Sequence, residues 1–386
     1  MKIAIFTDTY APQINGVVTS TLTSVHELES LGHEVLVIGP KLAGASHSTD
    51  KIWRFRSMAF PFQKEYTIIL PFSRKLRKFS DTNWDIIHIQ TPFFMGHLGQ
   101  YIAWKYKIPS IHTYHTHWEE YTHYFPLLPK KIRKFLFITL FSRLFCNRCN
   151  HIVVPSYQIQ EKLVTYGVTT PKTVIPTGVI SPVVSPKQIA LFKQKWGISS
   201  SQKVIVFVGR LGAEKNVYFL LEAFLKIAHA LPDTILLIAG DGPERGRMLN
   251  KLSEYGLRDR CIFTGYITHH DVFVAYAASD ILAFPSTTET QGLSVLEGLS
   301  MGIPAVCINA MGVKEILSLE RGGFLTENNV DSFSQALLTL LTDTQLYQEK
   351  SQQARKQAQQ FSAPNMTKQL VSAYTKTLEA YSSKKH

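Results

Sequence analysis

Cysteine is scarce in this chain of 386 residues: only Cys146, Cys149, Cys261 and Cys307 occur. That does not make a disulfide scaffold. Cys146 and Cys149 form one C-x-x-C pair, and no second pair completes a zinc set. Reduced thiols on a helix are the expected reading, ahead of a metal or redox role. Long apolar runs are also missing. None reaches the ~18 uncharged apolar residues that a spanning helix needs. The best candidate, 135–145, is short and broken by Arg143. No leader is expected, because strand-like KIAIF follows Met1 directly. No internal repeat or low-complexity tract stands out, and the composition suits the cytoplasm.

Acidic residues are few. There are 29 Asp and Glu against 41 Lys and Arg, a net charge of +12. Residues 1–180 hold 20 basic and 11 acidic side chains, and residues 181–386 hold 21 and 18. A basic face serves nucleic acid, anionic membrane or an acidic substrate. No nucleic-acid-binding module accompanies the charge, so no nucleic-acid partner is expected.

What is present is a regular alternation. Apolar strand-like runs fall at 2–7, 34–38, 85–90, 110–114 and 151–155, then at 204–209, 235–239, 261–264, 280–284 and 305–308. Helical patterns separate them. Continuous apolar strands between amphipathic helices indicate parallel sheets covered on both faces. The length fits two domains of about 180–200 residues. Ser181-Pro182-Val183-Val184-Ser185-Pro186 reads as the linker between them.

Two glutamates, Glu289 and Glu297, stand eight residues apart in TETQGLSVLE. The first follows an apolar strand, and the second lies in a helix beginning near Gly292. A helix N-terminus binds anions, and carboxylates beside it suit hydroxyl groups. A sugar and a ribose joined by a diphosphate match that pattern. Strand KVIVFVG ends at Gly209 and is followed by Arg210 and Lys215, two cations within reach of one diphosphate. The loop Gly240-Asp241-Gly242-Pro243-Glu244 follows another strand.

Together, Asn15-Gly16-Val17, His115 in TYHTH, Pro176-Thr177-Gly178-Val179, G-R-L-x-x-E-K-N, GDGP and E-x7-E resemble the retaining nucleotide-sugar glycosyltransferases of family four. The resemblance spans nearly the whole chain. TDTYAPQINGV, TYHTHWEEY and TETQGLSVLEG look most like the bacterial diacylglycerol glucosyltransferases. It implies the α/β GT-B fold: two Rossmann-like domains whose parallel sheets face a central cleft. Residues 1–180 would form the acceptor and membrane side, and 181–364 the donor side. A last helix, about 365–386, would pack back on the first domain.

The resemblance also implies roles. Arg210 and Lys215 would neutralise charge on the departing diphosphate, with no metal or other cofactor. Glu289 would hold the donor sugar and Glu297 the ribose. Backbone at Gln291, Gly292 and Leu293 would meet diphosphate or sugar, and backbone near Tyr266 and Ile267 would read the base. Gly209, Gly240, Asp241 and Gly242 would complete the donor site. His115 would contact the donor sugar near its reacting face; a structural histidine or, less favourably, a zinc ligand with His117 are the other readings. Asp8, Asn15 and Gly16 would line the opposite wall, Gly16 leaving room for phosphate. Ile180 replaces a frequent acid, loop 13–18 has one glycine where other branches have two, and Gly298 replaces a common Ala.

Residues 125–149 interleave basic and large apolar residues, with six Lys and Arg and no acid between Lys130 and Arg148. Arg74, Lys75, Arg77 and Lys78 form a second cluster. Such segments favour an anionic bilayer surface, and Lys130, Lys131, Arg133 and Lys134 are its expected contacts; a core helix with basic ends is the other reading. The expected activity is transfer of glucose from UDP-glucose to a lipid hydroxyl such as that of diacylglycerol, with retention, on the cytoplasmic membrane face. A mannosyl or other hexosyl transfer to phosphatidylinositol, polyprenol-linked or soluble acceptors is the near alternative. A sugar-nucleotide epimerase is the distant one.

Overall fold

The computed structural model describes residues 1–383 apart from 14, 43, 45–47, 61–62, 71–72 and 116–140. The chain divides into two compact units. One is Met1–Gly178 with Ala363–His386, and the other is Val179–Ser362.

The first unit is built on eight strands: β1 Lys2–Phe6, β2 Glu34–Lys41, β3 Ile52–Phe60, β4 Gln63–Ile69, β5 Ile86–Ile89, β6 Ser110–Thr113, β7 His151–Val154 and β8 Lys172–Val174. Their order in the sheet is β4-β3-β2-β1-β5-β6-β7-β8. Neighbours are parallel except the edge pair β3 and β4, which is antiparallel. β1 is buried along almost its whole length, as its unbroken apolar run requires. The helix Ala363–Ser383 belongs to this unit. Its Tyr374 is fully buried and its hydroxyl lies 2.7 Å from His88 Nδ1.

The second unit holds β9 Lys203–Val208, β10 Thr234–Ala239, β11 Cys261–Gly265, β12 Ile281–Phe284, β13 Ala305–Ile308 and β14 Gly323–Thr326, ordered β11-β10-β9-β12-β13-β14 and all parallel. From β9 the chain winds outward through β10 to β11. It then returns to the other side of β9 and winds outward through β12 to β14. The point of reversal lies between β9 and β12. In the first sheet the corresponding point lies between β1 and β5. Crevices open at the carboxyl ends of such strand pairs.

The chain changes units at Gly178–Val179 and again at Ser362–Ala363. Gly178 is required by contact, since a Cβ there would stand 2.5 Å from Ala363 Cα. Ser185, near the end of the Pro- and Ser-rich stretch, caps the helix Pro186–Lys195 in a reciprocal box with Gln188. That stretch therefore already belongs to the second unit.

β3, β4, β8 and β14 lie outside the strand runs seen in the sequence. β3 was obscured by Arg54 and Arg56. Arg54 is buried nonetheless, with Nη1 donating to Pro40 O at 3.1 Å and the guanidinium 5.2 Å from the Tyr10 ring centre. Hydrogen bonding and stacking offset its desolvation.

Candidate active site

The second unit carries most of the expected donor-side residues, on the loops that follow β9, β10, β11 and β12 and on the helix after β12. β9 turns at Gly209 into the loop with Arg210 and Lys215. β10 turns at Gly240 beside it. Gly209 N donates to Ala239 O at 3.1 Å, Leu211 N to Asp241 O at 2.9 Å and Glu244 N to Leu211 O at 3.0 Å. A Cβ on Gly240 would stand 1.9 Å from Gly209 O, and one on Gly242 would stand 2.4 Å from Leu211 O. These glycines thus let two backbones touch, so the GDGP loop braces the Arg210 loop from behind. Asp241 accepts from Gly242 N at 2.8 Å and from Arg245 Nη1 at 2.9 Å. The exposed Tyr266 donates its hydroxyl to Asp241 O at 3.2 Å, while Ile267 packs on the core.

Arg210 Nη1 lies 3.5 Å from Glu214 Oε1, and both side chains are more than one-third exposed. Lys215 is more enclosed. Its ammonium forms an ion pair with Glu289 from the loop after β12. Two further bonds tie the loops together: Thr288 Oγ1 donates to Glu214 O at 3.3 Å, and Asn216 Nδ2 to Pro285 O at 3.4 Å. The 288–292 segment is fixed from its other side by Gly312, whose N–H donates to Glu289 O at 3.0 Å. Gln291 is buried. Gly292, at φ +89°, precedes the helix Leu293–Ser300. Glycine reaches this conformation without strain and has no side chain with which to cap the helix start.

Glu297 is buried on that helix, and two residues absent from the sequence expectations hold it. His269 Nε2 lies 3.1 Å from its Oε1, and the Tyr276 hydroxyl lies 3.3 Å from its Oε2. The bond to Glu297 raises the His269 pKa, and burial followed by the Glu297 charge raises that of Tyr276. A signal for both was present: His269, Phe273 and Tyr276 recur at helical spacing on one face. Gly298 packs closely, since a Cβ there would meet Leu282 Cδ2 at 2.9 Å.

In the first unit, Asp8 and His115 follow β1 and β6. Asp8 is buried and serves the start of the helix Phe94–Tyr106. Its Oδ1 accepts from Met95 N at 2.9 Å and its Oδ2 from Thr91 Oγ1 at 2.6 Å. Burial raises its pKa to about 6 against these bonds. Asn15 caps the helix Gly16–Ser30 by accepting from Val18 N at 3.0 Å, and its Nδ2 donates to Thr9 Oγ1 at 2.9 Å. A Cβ on Gly16 would meet nothing within 4 Å.

His115 Nε2 donates to Gln90 Oε1 at 2.6 Å. Gln90 Nε2 lies 3.2 Å from both ring nitrogens of His88, which also bonds Thr113 and Tyr374. Burial lowers the pKa of His115 and His88 to about 3 and that of His112 to about 4. These imidazoles are neutral near pH 7 and join β5, β6 and the C-terminal helix. Buried Cys149 receives a bond from Gln100 at 3.3 Å, and burial raises its pKa to about 11. It is a packed, unreactive thiol.

Lys130, Lys131, Arg133 and Lys134 lie outside the described residues, as does His117. Arg74, Lys75, Arg77 and Lys78 lie on the short 3-10 helix Arg74–Asp81, where Arg77 and Lys78 are exposed and Phe79 is buried beneath them. Among the described residues no helix is long and apolar enough to cross a membrane.

Comparison with known proteins agrees with this geometry. Residues 14–180 match the model described as Glycosyltransferase Family 4, and residues 188–360 match Glycosyl transferases group 1. The chain is 34% identical over 316 residues to alpha-monoglucosyldiacylglycerol synthase of Streptococcus pneumoniae, covering 79% of this chain and 70% of the relative. It is 32% identical over 318 residues to the protein of the same name from Acholeplasma laidlawii, covering 79% and 80%. Anabaena HepE, solved in complex with UDP-glucose, shares the fold with a TM-score of 0.74 at 19% identity, over 97% of this chain and 100% of that one. A chain with both family matches in order, this degree of identity and two doubly wound sheets belongs to the family-four, group 1 glycosyltransferases of GT-B fold.

Proposed function

We propose that this protein transfers a hexose, glucose from UDP-glucose in the first instance, to the hydroxyl of a membrane lipid such as diacylglycerol, with retention at the anomeric carbon. The observation that carries the reading is the Lys215–Glu289 ion pair between the loops after β9 and β12, with Arg210 on the first loop and the Gly292 helix start following the second. It occurs in a chain 34% identical to a monoglucosyldiacylglycerol synthase.

When the bond from the anomeric carbon to the diphosphate oxygen breaks, its electron pair goes to the diphosphate. Arg210 and Lys215 stabilise that charge, as does the positive end of the helix Leu293–Ser300. The acceptor hydroxyl attacks from the face the diphosphate leaves, and its proton passes to a diphosphate oxygen. Glu289 accepts hydrogen bonds from the sugar, and its negative charge keeps the Lys215 ammonium in place until the donor arrives. An ammonium has three donors, so it can serve Glu289 and a phosphate oxygen together. Glu297 accepts from the ribose. The basic segments of the first unit hold the enzyme on anionic lipid. On this reading positive side chains supply the field that a metal ion would otherwise provide.

The test is a donor panel of UDP-glucose, UDP-galactose and GDP-mannose on vesicles containing diacylglycerol, with mass and anomeric analysis of the lipid products and parallel reactions in EDTA. An α-glucosyl lipid formed equally in EDTA supports the reading. Product from GDP-mannose alone, product on soluble acceptors alone, or an epimerised donor with no acceptor consumed overturns the substrate assignment. Activity lost in EDTA and restored by Mg²⁺ overturns the metal-free mechanism.

A further inference from the structure

The helix His269–Ala277 contributes no residue to the motifs, yet it determines how Glu297 sits. The two carboxylate oxygens are held separately, Oε1 by His269 Nε2 at 3.1 Å and Oε2 by the Tyr276 hydroxyl at 3.3 Å. A carboxylate only accepts, so both neighbours donate. Tyr276 is fully buried, and its single O–H proton is shared between Glu297 Oε2 and Ser294 O at 2.9 Å, one turn before Glu297 on the same helix. Phe273 lies between the two donors along their helix, edge-on to His269 at 5.2 Å and to Tyr276 at 6.2 Å. It is buried too, so the spacing of the donors is set by packing.

A glutamate side chain has three rotatable bonds and, unrestrained, sweeps its carboxylate through many orientations. Here one donor on each oxygen sets the plane of the group. Each oxygen retains a second lone-pair direction. A fixed carboxylate with one acceptor site on each oxygen complements two adjacent hydroxyls, and a ribose carries such a pair.

We propose that His269 and Tyr276 are positioning residues for donor binding: they fix the Glu297 carboxylate in the plane that accepts both ribose hydroxyls of a nucleoside diphosphate. This rests on the reading of Glu297 as the ribose-binding residue. Neither residue touches the reacting atoms. Their effect falls on KM for the donor more than on kcat, because the ribose is held alike before and during glycosyl transfer.

Calorimetry tests this with UDP and 2′,3′-dideoxy-UDP, or the GDP pair if GDP binds more tightly, on wild type and the variants E297Q, H269A, H269Q and Y276F. Wild type is expected to bind the full nucleotide about 10-fold or more tightly than its dideoxy form, since hydrogen bonds to a charged group are lost. E297Q should reduce that ratio toward unity. H269A and Y276F should each reduce it severalfold, and H269Q, which keeps an N–H donor, should restore most of it.

A ratio unchanged in E297Q, or close to unity in wild type, removes the ribose reading itself. A ratio that collapses in E297Q but stays at the wild-type value in H269A and Y276F overturns the positioning proposal and leaves the ribose reading standing. A purely structural tie would lower melting temperature without changing the ratio. Where Y276F does not fold, H269A decides alone, because the His269 side chain is 56% exposed and not part of the core.

Discussion

Lys215 and Glu289, 74 residues apart in the chain, form an ion pair that joins the loop after β9 to the loop after β12. Their side chains are 23% and 18% exposed, so the pair lies between the surface and buried regimes. Replacing Lys215 by Ala should cost about 1–2 kcal/mol of stability, more than a surface pair and less than a fully buried one. The double variant K215A/E289A should cost less than the sum of the single changes, because no charge is then left unpaired. Turnover should respond far more strongly, falling about 100-fold in K215A, as on loss of one charge-stabilising donor. Arg210→Ala should lose activity to a similar degree with stability within about 0.5 kcal/mol, since its side chain is 39% exposed. Denaturant melts and initial rates check both statements. Near-normal rates in the two variants would remove this pair of cations from the site.

Two glycines of the motifs should behave oppositely. At Gly240 an added Cβ meets the Gly209 carbonyl at 1.9 Å, and φ is +152°. Gly240→Ala should therefore destabilise the second unit by about 3 kcal/mol or more, because backbone cannot yield cheaply. At Gly16 the space is open. Gly16→Ala should keep or raise stability, by about 0.4–1 kcal/mol, through a less flexible unfolded chain. If phosphate passes close to this backbone, G16A should nevertheless lose activity. A fully active G16A enzyme would show that the single glycine of the loop serves the chain turn alone.

Acid should weaken the first unit before the second. His88, His112 and His115 titrate at about 3, 4 and 3 in the folded protein, against about 6.5 when unfolded. Their folded pKa values are depressed, so their contribution is complete above pH 6.5 and is lost as pH falls toward 3. Asp8 acts in the opposite sense. Its pKa rises from 3.8 to about 6 on folding, so its contribution is complete below 3.8 and is lost as pH climbs through 6. Three histidines outweigh one aspartate. Amide protection factors in β5 and β6, corrected for the intrinsic slowing of exchange in acid, should fall between pH 6.5 and 4.5, while those in β9 and β12 hold. His269, with a raised pKa, stabilises below 6.5 and loses that effect as pH rises through its folded value. Protection factors in β5 and β6 that stay flat over this range would contradict the assignment of the three histidines as buried and neutral.

Local signals carried the expected fold and the loops on which the candidate site residues lie. KIAIF and KVIVFV are unbroken apolar runs bounded by turns, so β1 and β9 were legible, and with them the loops that bear Asp8, Arg210 and Lys215. β3 was not legible, because the tertiary partners of Arg54 cannot be read from its neighbours in sequence. The Lys215–Glu289 pair depends on β12 returning to the side of β9 opposite β10, which is strand order and not composition. Gly240 and Gly242 were singled out as donor-site residues, but their backbone contact with Gly209 and Leu211 emerges only when β10 is set beside β9. His269 and Tyr276 lay at helical spacing in plain view. What was missing was the packing of their helix against Glu297.

Basic residues of the first unit should decide membrane attachment. Each Lys or Arg near an anionic surface contributes about 1 kcal/mol, screened by salt. Changing Lys130, Lys131, Arg133 and Lys134 together to Gln should therefore release the protein from vesicles rich in anionic lipid. Changing Lys75, Arg77 and Lys78 to Gln tests the second cluster separately. Arg77 and Lys78 are exposed, and the buried Phe79 that anchors their helix, with its ring stacked on Trp84 at 5.4 Å, is untouched. Neither set changes Arg210, Lys215 or Glu289, so slow hydrolysis of the nucleotide sugar in the absence of lipid should persist. Vesicle flotation at low and high salt, with neutral vesicles as control, measures the attachment. Wild type should float with anionic vesicles and be released by salt, and the quadruple variant should remain in the dense fraction. If both float equally, or if neutral vesicles bind as well as anionic ones, charge is not what brings this enzyme to lipid. The preference for a lipid acceptor would then rest on the relatives alone.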